Sequence, residues 1–445
     1  KIKETRKLVS EGDEKAAGQL LRWQEQRETF MGQYLVSQLS EKGLIPTYSF
    51  PVHSLTLEVT KERKKYVNQF LQSDIALVRD ASMGISEYAP GAEVIANGRI
   101  WRSVGLAYSP KDFMPVQYVV ICRECSHANI EDDRNDMPKN CDNCHSVLND
   151  QPMAFVKPKG FITALKESKG KDPSGSRKRA AGADEAKLIV VPSNEHYEKT
   201  DHSLIKKVFM ASQSESDLNG RLFVLNRGNG KQGYFRCNYC NYMESAESHR
   251  APAHHHNPET GLSCKNKKMS VLSLAHEFWT DVVIYKVNQS IDIPASIPLE
   301  EQGDYLNCIA VTLSEAFRMA IVTYLEVPAS EVRCTYRFHG HQLEIITYDG
   351  VPGGAGYVNK IHKTLSMKDL LNKVEESLAC SKGCGRACIH CLCDYSNQRY
   401  WESFDRKAAL AYLQRLSYDF EVKHAVQKLG AVMDDKASTS SLCDE

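Results

Sequence analysis

This sequence of 445 residues has no surplus of charge, no long apolar run and no targeting segment. Its 56 Lys and Arg residues balance its 56 Asp and Glu residues, so any nucleic-acid contact must come from local basic patches. It contains no run of 18 apolar residues, and we therefore expect no membrane span or membrane partner. The N-terminus is charged, lacks the apolar core of a signal peptide and starts with Lys. We expect an internal region of a longer protein.

Motifs for ATP hydrolysis are missing as well. No G-x-x-x-x-G-K-[ST] loop occurs, because GNGKQGYF has Gln after its Gly-Lys and lacks the preceding spacing. No DEAD-like box follows a strand pattern, and no Ser-His-Asp or Cys-His arrangement can be placed. We expect that the chain does not hydrolyse ATP alone, so that ATP would act only on a missing or partner motor. Whether the chain is an enzyme of another kind stays open.

Cysteine, in contrast, is plentiful. The sequence holds 15 cysteines, and most of them stand in Cys-x-x-Cys pairs. A pair with this spacing places two thiolates on one turn, which suits a metal ion better than a disulfide. Because no signal peptide is present either, the pattern predicts a protein of the reducing cytoplasm.

The first two cysteine clusters have the spacing of zinc ligands. The first cluster consists of two Cys-x-x-Cys pairs, formed by Cys122, Cys125, Cys141 and Cys144. This arrangement predicts a closed structural zinc site, and the alternative is free or redox-active thiols. A second cluster needs one imidazole to complete a Cys₃His site with Cys237, Cys240 and Cys264. Ring reach does not choose among the nearby histidines; the assignment takes His255 and His256, with His249 and His254 also within reach. The alternative there is a histidine-rich surface loop beside a cysteine pair.

The densest cluster is CSKGCGRACIHCLC, residues 380–393, with five cysteines in fourteen positions. Four of them have the spacing C-x₃-C-x₃-C-x₂-C and are Cys380, Cys384, Cys388 and Cys391. Cys393 is one too many for a mononuclear site, so we expect its side chain to point away. Zinc and an iron–sulfur cluster both accept four thiolates, and composition does not separate them.

Two segments could contact phosphate groups. The segment 157–179 carries eight Lys or Arg against two Asp or Glu, a net of +6, and is either a solvated linker or a phosphate-contacting strip that includes Arg177, Lys178 and Arg179. Residues 343–366 have the pattern of a strand, a Gly-rich loop and a helix. Backbone N–H groups there could point at a phosphate from Gly353, Gly354 and Gly356. We favour the alternative, a tight turn ordered by Asp349.

Three phrases near the end, TYDGVPGGAGYV, the four-cysteine run and CLCDYSNQRYWESFDR, resemble the zinc-binding domain at the C-terminus of MrfA-type DNA helicases. Large phage-defence helicases of the Druantia DruE type and DrmB of the DISARM system carry a similar domain. Upstream phrases such as KGLIPTYSFPV extend the resemblance over most of residues 30–425. It implies zinc at the four cysteines of the third cluster. It also implies DNA as a partner, a helicase motor in cis or in trans, and possible contacts with other phage-defence subunits.

These patterns predict an α+β, multi-domain protein with zinc-ribbon-like modules and a C-terminal mixed α/β zinc-binding domain. AEVIANGRIW should contain a hairpin turning at Asn97-Gly98, and FHGHQLE should place His339 and His341 on one strand face. The expected order is a helical connector at 1–50, a β-rich domain at 51–156 with a zinc ribbon at 118–150, a basic linker at 157–200, a β-rich segment with the second zinc site at 201–300, the MrfA-type domain at 301–430 and a disordered tail at 431–445.

The function expected from all of this is a non-catalytic, nucleic-acid-engaging C-terminal accessory region, or subunit, of a superfamily 2 DNA helicase in bacterial anti-phage defence. It should hold about three Zn²⁺ ions per chain. Two alternatives stay open. One is a zinc-stabilised scaffold that docks a separate helicase or nuclease subunit, and the other is an unrecognised nuclease or hydrolase.

Overall fold

The computed structural model describes residues 54–60, 77–107, 115–165, 187–189, 192–212, 218–339 and 342–422, with short gaps at 126, 143, 230, 248–249, 267 and 395–396. They form two compact units, one made of most residues up to 189 together with 221–279, the other mainly of 190–220 and the residues from 280 onward. The predicted connector 1–50, the basic residues Arg177, Lys178 and Arg179, and the tail 431–445 lie outside the described residues.

The first unit is built mainly from strands, with one short helix, α1, at Ala81–Glu87. The strands are β1 Ser54–Glu58, β2 Leu77–Asp80, β3 Glu93–Ala96, β4 Arg99–Leu106, β5 Gln117–Ile121, β6 Ala128–Glu131, β7 Met153–Val156, β8 Gly160–Thr163, β9 Lys187–Leu188, β12 Arg221–Asn226, β13 Tyr234–Cys237, β14 Met243–Ser245 and β15 Met269–Trp279. One sheet has the order β2-β1-β8-β4-β3, and a larger one runs β14-β13-β15-β7-β5-β6, with β12 also pairing with β15 and β9 with β12.

The predicted hairpin at Asn97-Gly98 is confirmed. β3 and β4 pair in antiparallel register with Ala96 opposite Arg99, which leaves a two-residue turn. Both turn residues have positive φ, 48° at Asn97 and 67° at Gly98. This is the combination that Asn-Gly adopts at low cost and that matches the twist of the flanking strands.

Strand β8 differs from the linker predicted for 157–200. All four of its residues are buried, and it lies between β1, to which it is parallel, and β4, to which it is antiparallel. A Cβ on Gly160 would lie 2.8 Å from the Thr56 hydroxyl, so glycine permits this close approach. The short apolar run GFIT is therefore sheet interior, although lysines surround it in the sequence.

The second unit is one antiparallel sheet with helices packed on one face. The sheet order is β10-β11-β16-β18-β17, formed by β10 Glu198–Lys199, β11 Ile205–Met210, β16 Val282–Ser290, β17 Val332–His339 and β18 Gln342–Asp349. The helices are α2 Gln302–Leu325, α3 Tyr357–Thr364, α4 Met367–Leu378 and α5 at 406–422. Alternate sheet residues such as Tyr285 and Ile345 meet Phe317 of α2 in one core, so the mixed fold predicted for this region is present.

Helix α2 is the central core helix of this unit. The stretch Leu299–Leu325 is long and apolar enough to cross a membrane by length and composition, but 67% of its apolar window is buried inside the structure. Packing against the sheet thus accounts for its apolar character.

One strand prediction is wrong. β17 ends at His339 and β18 begins at Gln342, and these two residues stand opposite each other in an antiparallel pair. The chain therefore reverses within FHGHQLE, where a single continuous strand had been expected. Gly340 and His341 lie outside the described residues.

Candidate metal centres

The first cysteine cluster lies at the end of the β5–β6 hairpin. Cys122 donates its N–H to His127 O at 2.8 Å and Cys141 to Ser146 O at 2.8 Å, so each pair forms a tight turn. Buried Asn129 joins the two turns by accepting the Asp142 N–H at 2.9 Å. The four sulfur atoms lie within 4.8 Å of one another, which suits a tetrahedral metal ion.

The second cluster stands where β13 turns into β14. Cys237 donates its N–H to Tyr242 O at 2.9 Å, and Cys264 donates to His255 O at 3.0 Å. These bonds bring Cys237, Cys240, His255 and Cys264 together, with their ligand atoms within 4.8 Å of one another.

His255 has the surroundings of a metal ligand. Its side chain is 4% exposed and stacks on Tyr242 with ring centroids 5.1 Å apart. Its Nε2 atom is buried without a hydrogen-bond partner, a costly state for an imidazole unless a ligand occupies that nitrogen. A zinc ion held with three thiolates would satisfy it.

His256, the other histidine of the predicted set, lies outside this group. Its backbone forms a β-bridge with Ser263 and its side chain is exposed. His254 is also exposed, and His249 lies outside the described residues. Neighbouring residues on an extended segment point to opposite sides, so this bridge fixes which histidine faces the sulfur atoms.

The third cluster occupies the loop after α4. Cys380, Cys384, Cys388 and Cys391 are partly buried, and their sulfur atoms lie within 4.8 Å of one another. The pKa of Cys380 is lowered to about 6, mainly because its sulfur accepts a hydrogen bond from the backbone N–H of Cys384. A second backbone hydrogen bond, from Lys382, lowers this pKa further. The loop thus favours thiolate at this position, the form that binds metal.

Arg406 ties this loop to the start of α5. Its guanidinium donates to Cys384 O at 2.9 Å, to Cys384 Sγ at 3.2 Å and to Leu378 O at 3.2 Å. Arg386 returns a bond from its Nε to Phe404 O at 3.1 Å. Asp405 in turn donates its N–H to the Thr312 hydroxyl of α2 at 2.9 Å. The sequence analysis did not connect Arg406 to a sulfur ligand.

Cys393 is not a member of the four-sulfur set. Its N–H donates to Cys388 O at 3.0 Å, and its side chain packs against the core of the second unit. Burial, followed by the nearby Cys388 and Cys384, raises the pKa of Cys393 to about 11. A thiol with these surroundings stays protonated at neutral pH.

The Gly-rich loop is organised by a carboxylate of its own chain. Asp349 Oδ2 accepts the N–H groups of Ala355 at 2.7 Å, Gly356 at 2.6 Å and Tyr357 at 3.2 Å, while its Oδ1 accepts the Val358 N–H at 2.9 Å. These are the groups that would otherwise face an anion at the start of α3. The geometry therefore favours the turn over phosphate binding at the loop.

The glycines make this turn possible. Gly353, Gly354 and Gly356 have φ values of 87°, 79° and 81°, a region that side chains avoid. A Cβ on Gly354 would also lie 2.8 Å from the Asp281 carboxyl carbon. Burial, with a further contribution from Asp281, raises the pKa of Asp349 to about 6 despite its backbone donors.

The two Cys₄ sets and the one Cys₃His set fit about three zinc ions per chain. In each set all four tetrahedral positions are filled by protein ligands, which is the arrangement of structural zinc and leaves no position for a reacting water.

Residues 313–392 match the family model described as the MrfA Zn-binding domain. This part of the chain is similar to an MrfA-type zinc-binding domain. It contains most of α2, the Asp349 loop and all four cysteines of the third cluster. Arg406, which holds the MrfA-type site from outside, lies beyond the matched residues.

Two longer proteins match the chain over more of its length. Druantia protein DruE of Escherichia coli (strain UMEA 4076-1) is 24% identical over 431 residues, covering 87% of this chain and 22% of DruE. The chain thus spans less than a quarter of that relative's length. A crystal structure of the DUF1998 helicase MrfA bound to DNA aligns at 12% identity over 82% of this chain and 33% of that one, with a TM-score of 0.38.

Proposed function

We propose that this chain is the zinc-stabilised, DNA-engaging accessory part of an ATP-dependent superfamily 2 DNA helicase. The match of residues 313–392 to the MrfA Zn-binding domain is the observation that carries this proposal. The closed four-ligand sites support a non-catalytic role, because zinc without an open position holds backbone in shape and does not activate water.

The motor and the biological setting belong to the same proposal. Similarity to Druantia protein DruE supports a role in anti-phage defence, with the motor in cis or on a partner chain. A reducing cytoplasm is the compartment that suits cysteines gathered as metal ligands.

The proposal is tested by measuring DNA binding and ATP hydrolysis by purified, zinc-loaded 1–445. We expect binding that weakens steeply with salt, and no DNA-stimulated ATPase, because the phosphate-cradling loop and its Lys are missing from the sequence. Absence of DNA binding at low salt would instead favour the scaffold alternative. Metal-dependent cleavage of DNA without ATP would favour the nuclease alternative.

The basic segment provides a second test. Replacing Arg177, Lys178 and Arg179 by Ala should weaken binding to all DNA sequences alike and flatten the dependence on salt by up to about three phosphate contacts. If the salt dependence equals that of the wild type, the segment is a linker that does not contact phosphates.

A further inference from the structure

The second zinc module carries an exposed aromatic ring on its first cysteine turn. Tyr239 stands between Cys237 and Cys240, and its side chain is 69% exposed, more than either of the other exposed tyrosines in the described part of the chain, Tyr418 at 66% and Tyr324 at 36%. A large ring left in water on a rigid turn has no role in the core of its own unit.

The turn that presents this ring is held firmly. The backbone N–H groups of Tyr239 and Cys240 donate to the Cys237 sulfur, and the Asn241 N–H donates to Cys237 O at 3.2 Å. The ring is thus displayed from a fixed backbone, which lowers the conformational entropy lost when it binds a partner.

Two basic residues border the same turn. Asn238, next to Tyr239, donates its N–H to Lys268 O at 3.3 Å, which places Lys268 beside the ring-bearing turn. Lys265 directly follows the ligand Cys264, whose sulfur lies 3.9 Å from that of Cys237. Both lysines are exposed. Tyr239, Lys265 and Lys268 together are called the knuckle tip below.

We propose that the knuckle tip binds single-stranded nucleic acid, with a base stacked on Tyr239 and adjacent phosphates held by Lys265 and Lys268. An exposed ring flanked by cations matches the two features that single strands offer, a free base face and a charged backbone. In a duplex both faces of each base are already stacked, so the ring has nothing to bind there. The proposal rests on the DNA engagement proposed above and assigns it a site.

The other two modules have no tyrosine between their cysteines. The first module has Arg123 and Glu124 between its cysteines, and Arg123 forms an ion pair with Asp150. In the third module the corresponding place is held by His390, which is exposed, carries a smaller ring and follows Ile389, itself 72% exposed. The first and third modules can therefore be compared with the second module within the same chain.

The test is fluorescence anisotropy of a labelled oligo(dT) of about 15 nucleotides with zinc-loaded 1–445. Tyr239→Ala should weaken binding at least about fivefold, while Tyr239→Phe keeps the ring and should bind like the wild type. Tyr418→Ala is the matched control, because Tyr418 is equally exposed but lies beside Asp419 and Glu421, and it should have no effect. Binding to a duplex of equal length should change by less than about twofold in every variant.

The lysines are tested by the dependence on salt. The double variant Lys265→Ala, Lys268→Ala should lower the slope of log affinity against log salt by about 1.4, since each phosphate contact on a single strand contributes roughly 0.7. Zinc content is measured for each variant. If Tyr239→Ala loses zinc, Tyr239→Leu replaces it, since it keeps the bulk and removes the ring.

The outcomes separate this inference from the function on which it rests. If the wild type binds no nucleic acid, the proposed function fails and the inference fails with it. If the wild type binds oligo(dT) but zinc-loaded Tyr239→Ala binds within twofold of it, the proposed function stands and the knuckle tip is overturned. Equal losses on single strand and duplex would also overturn stacking at Tyr239.

Discussion

The Asp349 loop, residues 350–356, and the cysteine loop, residues 380–393, lie in the same unit. Both depend on polar groups to hold their backbone in place. Each leads away from a buried element, each contains glycine in the left-handed region, and each buries little large apolar surface, with Leu392 as the fully buried large side chain of the cysteine loop. The first is held by one carboxylate that accepts four backbone N–H groups. The second gathers four thiols that a cation must join.

The difference lies in where the organising charge comes from. Asp349 is part of the chain, so its loop is complete as soon as the polypeptide folds. The cysteine loop brings together groups that repel one another once they are ionised, and only an added cation makes that arrangement favourable. The first loop should therefore be indifferent to metal supply, and the second should depend on it.

The largest expected effect follows from breaking the metal-dependent loop. Cys388→Ser should lose one equivalent of zinc and unfold the region around 380–397, because metal binding supplies about 10 kcal/mol or more in comparable modules. Elemental analysis and hydrogen exchange measure both effects. Cys393→Ser is the matched control and should keep three zinc ions, since Cys393 lies outside the ligand set. If the wild type contains iron and acid-labile sulfide, the four cysteines hold an iron–sulfur cluster and not zinc.

A smaller effect is expected from the metal-independent loop. Asp349→Asn keeps the shape but turns one accepting oxygen into an N–H donor that faces backbone N–H groups, which should cost about 3 kcal/mol locally. Hydrogen exchange at 355–358 should accelerate, equally with and without a zinc chelator. Acceleration that appears only with the chelator would mean that the two loops are not independent.

The smallest effect sharpens the comparison at the cysteine loop itself. Arg406→Lys keeps the positive charge but loses the planar group that reaches Cys384 and Leu378, and should weaken zinc binding about 10- to 100-fold at this site. Competition with a chromogenic chelator measures this loss. Arg386→Lys is the control, because Arg386 bonds a carbonyl and no sulfur. Equal effects of both variants would assign Arg406 a general packing role.

Local patterns predicted well what local geometry decides. The cysteine pairs, the Asn97-Gly98 hairpin and the strand, loop and helix within 343–366 each depend on residues within a few positions of one another, so spacing and periodicity were sufficient. The choice of His255 over its neighbours depended instead on a bridge between His256 and Ser263, which no spacing rule supplies.

Pairing over long distances was out of reach. β8 is a strand because β1 and β4 close on both of its edges, and the lysines around GFIT hid that role. The buried ion pair between Arg337 Nε and Glu344 Oε2, 2.5 Å apart, depends on a chain reversal that was missed when His339 and His341 were assigned to one strand. Composition signals the charge of a segment but not which neighbour will neutralise or cover it.

The division of the chain into units has a consequence for its synthesis. Residues 190–220 belong to the second unit, but the ribosome makes them before 221–279, which complete the first. Strand β11 must therefore wait for β16, with Ile205 opposite Val287, until the intervening strands have emerged. The chain leaves the second unit after Gly220 and returns to it at Thr280. These two residues are hydrogen-bonded, since Thr280 donates its N–H to Gly220 O at 3.0 Å. A nascent chain can thus finish the first unit while β11 still lacks β16 and is paired only with β10. Cutting the chain at any one point removes part of at least one unit.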